Sequence, residues 1–194
     1  MKNGTATLET PVAPALPNLD EPLFEIVNGE KVEMPPMGAY STMLAFWLGQ
    51  LLDSFARPRA LGNVAVEMLF VLDPVRDIRR RPDVAFVSAQ KWPLDRPIPE
   101  SGDWDVVPDL AVEVISPNDV FQKVVAKLDE YFHFGVQQVW IVVPSSRKVH
   151  VYDSPTQARI LTAADELDGG TLLPGFRLPV GSLFQRQPEA GPAI

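Results

Sequence analysis

Two carboxylates and one lysine stand at positions in this chain where apolar side chains are expected. Glu113 lies within the apolar stretch 109–115 (DLAVEVI), and Asp83 opens a second apolar stretch, 82–87 (PDVAFV). Lys127 interrupts the apolar face of the segment that follows Glu113. A buried carboxylate is unfavourable unless it is paired, hydrogen-bonded or bound to a cation. Two strand carboxylates with a nearby lysine are the groups needed for metal-assisted cleavage of a phosphodiester.

Each of these groups has a defined task in such chemistry. Mg²⁺ prefers oxygen ligands and keeps several waters, so one or two carboxylates and a phosphate oxygen can hold it. The ion polarises the phosphate and lowers the pKa of an attacking water, while a lysine orients that water or offsets charge in the transition state. Each residue alone also has an ordinary explanation: Glu113 on a solvent-facing edge, Lys127 paired with Glu113, and Asp83 capping a turn.

The elements that must position these residues can be predicted from the sequence. Residues 116–119 (SPND) signal the start of a helix of about 15 residues that ends near Phe134, with Gly135 as its stop. At about 100° per residue, Lys127 is the only charge within the apolar half of that helix. A short connection after the Glu113 strand lays the helix against that strand, so Lys127 can reach over the sheet.

The remaining pattern predicts an α/β (α+β) fold with a mixed β-sheet flanked by helices and an N-terminal β-hairpin. Asn28-Gly29 between two alternating runs is a strong hairpin signal. The other predicted elements are a helix over 41–55, strands over 62–72, 82–87, 138–143 and 148–152, and an extended loop over 88–107. The predicted organisation is an arm over 1–19, a single domain over 20–186 and a tail over 187–194.

Composition bounds the function. The chain has 194 residues, 46% of them hydrophobic, with no cysteine and two histidines, which excludes disulfides, a thiol nucleophile and a His-rich metal cluster. The sequence shows no signal peptide and no apolar run long enough to cross a membrane, so we expect a cytoplasmic protein. The net charge of −8 counts against nucleic-acid binding, which normally uses a basic surface.

Three groups of residues resemble a known family. They are 81–86 (RPDVAF), 108–117 (PDLAVEVISP), and Lys127, Tyr131 and Gly135 followed by 139–141 (VWI). Together they are similar to the Uma2 (DUF820) family of restriction-endonuclease-like proteins, and the resemblance runs from the Gly29-Glu30 hairpin through 174–176 (PGF). It implies the PD-(D/E)XK nuclease core, a DNA substrate, Mg²⁺ or Mn²⁺ as cofactor and a homodimer.

The resemblance also implies a role for each matching position. Asp83 and Glu113 would hold the metal. The lysine of the standard motif comes two residues after the second acid, where this chain has Ile115, and Lys127 on the helix is the residue that takes its place. Glu30 matches an acid of the family's hairpin and is a possible further acid, or simply an exposed hairpin residue.

The chain departs from the family at several positions. Lys123 stands where many members carry an acid, Val143 where many have Asp, and residues 39–41 (AYS) where a histidine is common. Arg81, the last of three consecutive arginines, is a possible phosphate contact or part of a solvated turn. Trp92 and Trp104 either stack on bases or pack against the domain.

Two functions therefore remain open from the sequence. The first is a Mg²⁺-dependent endonuclease that hydrolyses DNA phosphodiester bonds with Asp83, Glu113 and Lys127. The second is a nuclease-fold protein that no longer cuts and acts as an oligomeric binding module, which the net charge and Lys123 favour.

Overall fold

A six-stranded mixed sheet between two helices forms the centre of the protein. The structure, a computed structural model, describes residues 22–100, 102–116 and 119–185. The strand order in this sheet is β10-β9-β8-β7-β6-β3, in which only β7 and β8 run parallel. Its strands are β3 (Gly62–Val66), β6 (Val84–Ser88), β7 (Leu110–Val114), β8 (Gln138–Val143), β9 (Lys148–Ser154) and β10 (Gln157–Leu161).

Two smaller sheets, three α-helices and two short 3₁₀ helices complete the described fold. The sheets have the orders β2-β1-β5-β4 and β11-β12. Their strands are β1 (Phe24–Val27), β2 (Glu30–Glu33), β4 (Phe70–Asp73), β5 (Ile78–Arg80), β11 (Glu166–Asp168) and β12 (Arg177–Pro179). The α-helices are α1 (Ala39–Ala56), α2 (Phe121–His133) and α3 (Val180–Leu183). The predicted α+β architecture with a mixed sheet is confirmed.

The two long helices cover opposite faces of the central sheet because successive strand residues point to opposite sides. Helix α1 packs Leu44, Leu48 and Leu52 on the face that carries Val84 and Val112. Helix α2 packs on the other face, and its contacts there include Leu128 and Tyr131 against Ala85, Ala111 and Val139. Asp83 and Glu113 have the same parity as Ala85 and Ala111, so their side chains lie on the α2 face.

The hairpin prediction is confirmed, and its turn shows why the sequence signal is strong. Asn28 and Gly29 both have positive φ, 53° and 80°, as a two-residue turn between right-twisted strands requires. The hairpin pairs Phe24 with Glu33 and Val27 with Glu30. Strand β1 also pairs with β5 through Ile26 and Arg79, which joins the hairpin to β5 and β4 in a four-stranded sheet.

The prediction of one strand over 62–72 is wrong. The chain forms β3 and β4 in two different sheets, and the break falls at Glu67, which has a φ of 53°. The N–H of Glu67 donates a hydrogen bond to the carbonyl of Asp83 at 3.2 Å. A left-handed residue redirects the chain there, and such a conformation is uncommon for residues other than glycine, asparagine and aspartate.

The loop after β6 is held by two tryptophans. Trp92 and Trp104 are 4% and 1% exposed, and their rings meet edge to face at 5.4 Å. Trp104 also stacks on Phe70. These indoles therefore pack inside the domain, and the base-stacking alternative is wrong for both.

Several sequence predictions lie outside the described residues. The predicted arm over 1–19 and tail over 187–194 belong to this group, as do Pro117 and Asn118 of the predicted helix start. Helix α2 begins at Phe121 and ends at His133, and Gly135 follows with a φ of 96°, as its role of helix stop predicts. No helix in the described ranges has the length and apolar character needed to cross a membrane.

Candidate active site

Three acidic residues lie in a row: Glu67 directly after β3, Asp83 directly before β6, and Glu113 within β7. Strands β6 and β7 pair Val84 with Val112, so the next position places Asp83 opposite Glu113. Strands β3 and β6 pair Val66 with Val84, so Glu67 lies beside Asp83 on the other side. Neighbouring strands are about 4.8 Å apart. The sequence predicted Asp83 and Glu113 as a pair, and the register confirms that they are neighbours.

Asp83 is buried and carries unfavourable electrostatics. The residue is only 4% exposed, and its Oδ2 accepts a 2.5 Å hydrogen bond from the backbone N–H of Val114. Burial raises the pKa of Asp83 well above its ordinary value, and the neighbouring charges of Glu113 and Glu67 raise it further. A cation bound here would stabilise the charged form of Asp83 against burial and against the repulsion from Glu113 and Glu67.

Glu113 is held from above by two side chains of α2. The hydroxyl of Tyr131 donates to its Oε1 at 2.6 Å, and Lys127 Nζ lies 3.3 Å from its Oε2. Burial raises the pKa of the Glu113 carboxyl, and Lys127 opposes the rise. For Lys127 itself, burial opposes the charge, but Glu113 and Glu25 together raise its pKa above the ordinary value. Lys127 is therefore an ammonium ion at neutral pH.

Glu25, which is not among the residues predicted from the sequence, completes this network. Glu25 is 4% exposed, and its carboxylate pairs with Lys127 at 2.9 Å and with Arg80 at 2.8 Å. Burial opposes its ionisation, but Lys127 and Arg80 lower its pKa on balance. The sequence does contain a signal for Glu25. Strand alternation over 24–27 (FEIV) places Glu25 on the same face as the apolar Val27, where an acid needs a partner.

The structure does not bring Glu30 to the other acids. Glu30 is exposed at the start of β2, directly after the hairpin turn. The hairpin acid that reaches Lys127 is Glu25, five residues earlier on the paired strand. Of the two alternatives for Glu30, the structure shows the exposed hairpin residue, whereas Glu25 on the paired strand is buried and contacts Lys127.

Glu67 is a second acid that the sequence analysis missed. Its Oε2 is buried and has no hydrogen-bond partner. Burial raises the pKa of its carboxyl, and the positive charge of Arg81 opposes the rise only in part. No local signal marked it, since the predicted strand ran through this position. Its placement follows from the left-handed backbone at residue 67 and the bond to Asp83 described above.

The three consecutive arginines are bound to groups of this same chain. Arg79 pairs with Asp77 and Asp103, and Arg80 pairs with Glu25 and Glu130. Arg81 donates to the backbone carbonyls of Phe24 and Glu67. The guanidinium of Arg81 thus ties the hairpin to the β3–β4 break, and its contact with a phosphate stays a prediction.

A cavity of about 310 Å³ opens above Asp83 and Glu113. One wall is the hairpin with the segment that follows it, and the opposite wall is α2 with the chain leading into it. The residues that line it are Glu25, Val27, Val32, Glu33, Met34, Pro35, Pro36, Met37, Arg80, Asp83, Glu113, Val114, Ile115, Ser116, Asp119, Val120, Lys123, Val124, Ala126 and Lys127. The floor is charged and the walls are mainly apolar.

The donor set fits a hard divalent cation held in part by water. Within the described ranges, no three His, Asp or Glu side chains converge closely enough to hold an ion by themselves. Asp83 and Glu113 nevertheless occupy neighbouring positions on adjacent parts of the sheet, and Glu67 has a buried oxygen without a hydrogen-bond partner. Mg²⁺ is commonly bound by one or two carboxylates with several waters and substrate phosphates, so these residues suit Mg²⁺ or Mn²⁺.

Comparisons with known proteins show the family and the fold of this chain. The Uma2 family model, described as "Putative restriction endonuclease", matches residues 13–181. A solved structure from Anabaena variabilis ATCC 29413, described as "a putative nuclease belonging to DUF820", superposes with a TM-score of 0.72 at 18% identity and covers 87% of this chain and 93% of its own. No curated protein matches. The predicted nuclease-like core is thereby confirmed at the level of the fold.

Proposed function

Because the chain belongs to the Uma2 family, we propose that it is a divalent-metal-dependent endonuclease that hydrolyses phosphodiester bonds in DNA. One observation carries the proposal: Asp83 and Glu113 are opposite each other on adjacent strands, and Lys127 lies 3.3 Å from Glu113 at the floor of a cavity. Carboxylates, a cation and an accessible space are the parts that the reaction needs.

Asp83 and Glu113 would hold Mg²⁺ or Mn²⁺, which supplies charge for the phosphate and a more acidic water when bound. The hydrogen bond from the Val114 N–H fixes the Asp83 carboxylate against the sheet. Tyr131 fixes Glu113 in the same way from α2. Both acids are therefore oriented before any substrate arrives, which is the arrangement that preorganised sites require.

Lys127 supplies a fixed positive charge. Because Glu113 and Glu25 raise its pKa against the effect of burial, it stays protonated and cannot act as a general base. Its N–H groups can instead donate to the attacking water or to a phosphate oxygen as negative charge develops. The salt bridge to Glu25 holds the amine between the hairpin and the sheet.

A cation on α2 accounts for the missing lysine of the strand motif. Ile115, at the motif's lysine position, packs with the apolar residues beneath α2 and lines the cavity. Lys127 reaches Glu113 from the helix above the sheet. The required charge is thus close to the second acid although it comes from a different element.

One observation favours the second function, a nuclease-fold binding module without catalysis. Both oxygens of Glu113 already have partners within the chain, since Tyr131 and Lys127 bind them. An ion would have to compete with Lys127 for Glu113. If the internal pairs win, the site is a closed ion-pair network that stabilises the fold.

Metal titration and nicking assays decide between the two functions. We expect calorimetry with Mn²⁺ to show binding to the wild type, which Glu113→Gln weakens at least tenfold. We also expect nicking of supercoiled and single-stranded DNA to require Asp83, Glu113 and Lys127. The matched control is Glu30→Gln, which removes an exposed acid outside the cavity and should leave both readings unchanged. Nicking that survives in Asp83→Asn and Glu113→Gln would contradict the proposal.

A further inference from the structure

We propose that the cavity above Asp83 and Glu113 takes one unpaired nucleotide, so that the substrate is single-stranded or frayed DNA and not an intact duplex. The inference rests on the proposed function, since it names the substrate of the same site. Three features of the described residues support it: the depth of the acids, the chemistry of the walls and the distribution of positive charge.

Both acids line the cavity and are nearly buried. Asp83 and Glu113 are 4% and 9% exposed, so a phosphate must enter the cavity to reach them. A volume of about 310 Å³ lies at the small end of ligand pockets, which start near 300 Å³. In a duplex each phosphate is flanked by paired and stacked bases, and extruding one nucleotide costs a few kcal/mol. An unpaired nucleotide avoids most of that cost.

The walls suit a base. Val32, Met34, Pro35 and Pro36 of the hairpin wall face the cavity, and Val120 and Val124 line the side of α2. Enzymes that act on unpaired or extruded nucleotides hold the base between apolar or aromatic side chains. Val32 is 40% exposed, so this wall has apolar surface available to a ligand.

Two lysines of α2, Lys123 and Lys127, line the cavity. The side-chain amine of Lys123 has no hydrogen-bond or ion-pair partner among the described residues, and Lys123 lines the cavity one helical turn before Lys127. The arginines at 79 and 80 are already paired with acids of the chain, and the net charge is −8. A duplex needs a broad basic surface, whereas one nucleotide needs one or two cations, and Lys123 can receive the phosphate next to the reacting one.

Matched oligonucleotides test the inference. Cleavage in Mn²⁺ is compared for a 20-nucleotide single strand, the blunt duplex of the same sequence, and a duplex with one frayed end. We expect the single strand and the frayed end to be cut at least tenfold faster than the blunt duplex. Equal or faster cutting of the blunt duplex would overturn the inference while leaving the endonuclease proposal intact.

A binding measurement keeps the two proposals separable. Fluorescence anisotropy with Glu113→Gln compares the same single strand and blunt duplex without cleavage. If the wild type cuts neither, the endonuclease proposal fails, and the anisotropy still decides the inference. Tighter binding of the single strand supports it, and tighter binding of the duplex overturns it.

Variants with matched controls locate the contact. Lys123→Gln should weaken single-strand binding and reduce the slope of log affinity against log salt by about 0.7, the value for one phosphate contact on a single strand. Lys148→Gln is the control, a lysine on β9 outside the cavity. Val32→Asp should weaken binding about tenfold, whereas Val75→Asp, at a site 93% exposed, should not. An unchanged salt slope in Lys123→Gln would contradict the assignment.

Discussion

Replacing Asp83 by asparagine should make the protein more stable. Asp83 is buried between two other acids, and both burial and those acids raise its pKa well above the ordinary value of 3.8. Asparagine is almost isosteric and keeps an oxygen that can accept the N–H of Val114, a bond of 2.5 Å. The substitution therefore removes an unfavourable charge and retains the hydrogen bond that positions the side chain.

The magnitude follows from the strand spacing. Two like charges about 4.8 Å apart repel by about 3.5 kcal/mol at an effective dielectric constant of about 20. The charge cannot cost more than protonation of the carboxyl at pH 7, because the group would take up a proton instead. That limit is about 4 kcal/mol, at about 1.36 kcal/mol for each pH unit above the ordinary pKa. After allowance for the new amide group, we expect a gain of about 1–3 kcal/mol, or roughly 3–10 °C in Tm.

The pH dependence of the stability gain shows whether the gain comes from removal of the Asp83 charge. Between its ordinary and its raised pKa, the folded protein binds more protons at this carboxyl than the unfolded chain does. The free energy of unfolding therefore falls as pH rises through that window, and the advantage of Asp83→Asn should be present at pH 7 and vanish near pH 4. Urea unfolding across that range, without divalent cations, measures it.

Asp109 provides the matched control. It is 1% exposed, but its carboxylate accepts from the Ser88 N–H and from Gln137 and pairs with Lys91 at 3.2 Å. Asp109→Asn should cost about 1–3 kcal/mol because it weakens charge-assisted hydrogen bonds. If Asp83→Asn is destabilising at pH 7, or if its gain does not depend on pH, the electrostatic account of the acid row is refuted.

Three further predictions concern the same network. Mn²⁺ at ten times its dissociation constant should stabilise the wild type by about 1.4 kcal/mol. Thermal melts should show no change in the Tm of Asp83→Asn on addition of Mn²⁺. Equal Tm shifts in the two proteins would contradict the metal site. Glu25→Gln should cost about 3–5 kcal/mol in urea unfolding because Arg80 and Lys127 each lose a buried partner, whereas Glu30→Gln should cost less than about 0.5 kcal/mol. Tyr131→Phe should cost about 1–3 kcal/mol and lower nicking, because Glu113 loses its 2.6 Å donor; a neutral result would exclude that role.

The parts of the fold that the sequence predicted are those with local causes. The turn at Asn28-Gly29 needs positive φ at both residues, and these residue types tolerate it. Helix α1 follows from leucines at helical spacing, and α2 ends where Gly135 adopts a positive φ. Each of these signals depends on a few neighbouring residues, so no tertiary information is needed to interpret them.

The break at Glu67 has no local cause. Residues 62–72 are uniformly compatible with a strand, and the chain turns because Glu67 bonds to the Asp83 carbonyl and β4 pairs with β5 in another sheet. That pairing is decided far along the chain. For the same reason the sequence could not place Glu67 beside Asp83, although it identified Asp83 itself.

The arginines at 79–81 show a related limit. A basic cluster beside an acidic site suggests phosphate binding, but sequence alone does not show which acids lie within reach. The hairpin brings Glu25 to Arg80, and the β4–β5 region brings Asp103 to Arg79. The charge that a sequence assigns to a substrate can thus be neutralised by residues more than 20 positions away.

The position of the lysine on α2 has a consequence for how the site is held together. A lysine at residue 115 would belong to the same strand as Glu113, so its charge would add no link between elements. Lys127 pairs with Glu113 of β7 and Glu25 of β1 from a third element. The cation proposed to assist the reaction therefore also joins the hairpin, the sheet and the helix that enclose the cavity. The same two ion pairs would then both position the proposed catalytic cation and hold together the elements that enclose the cavity.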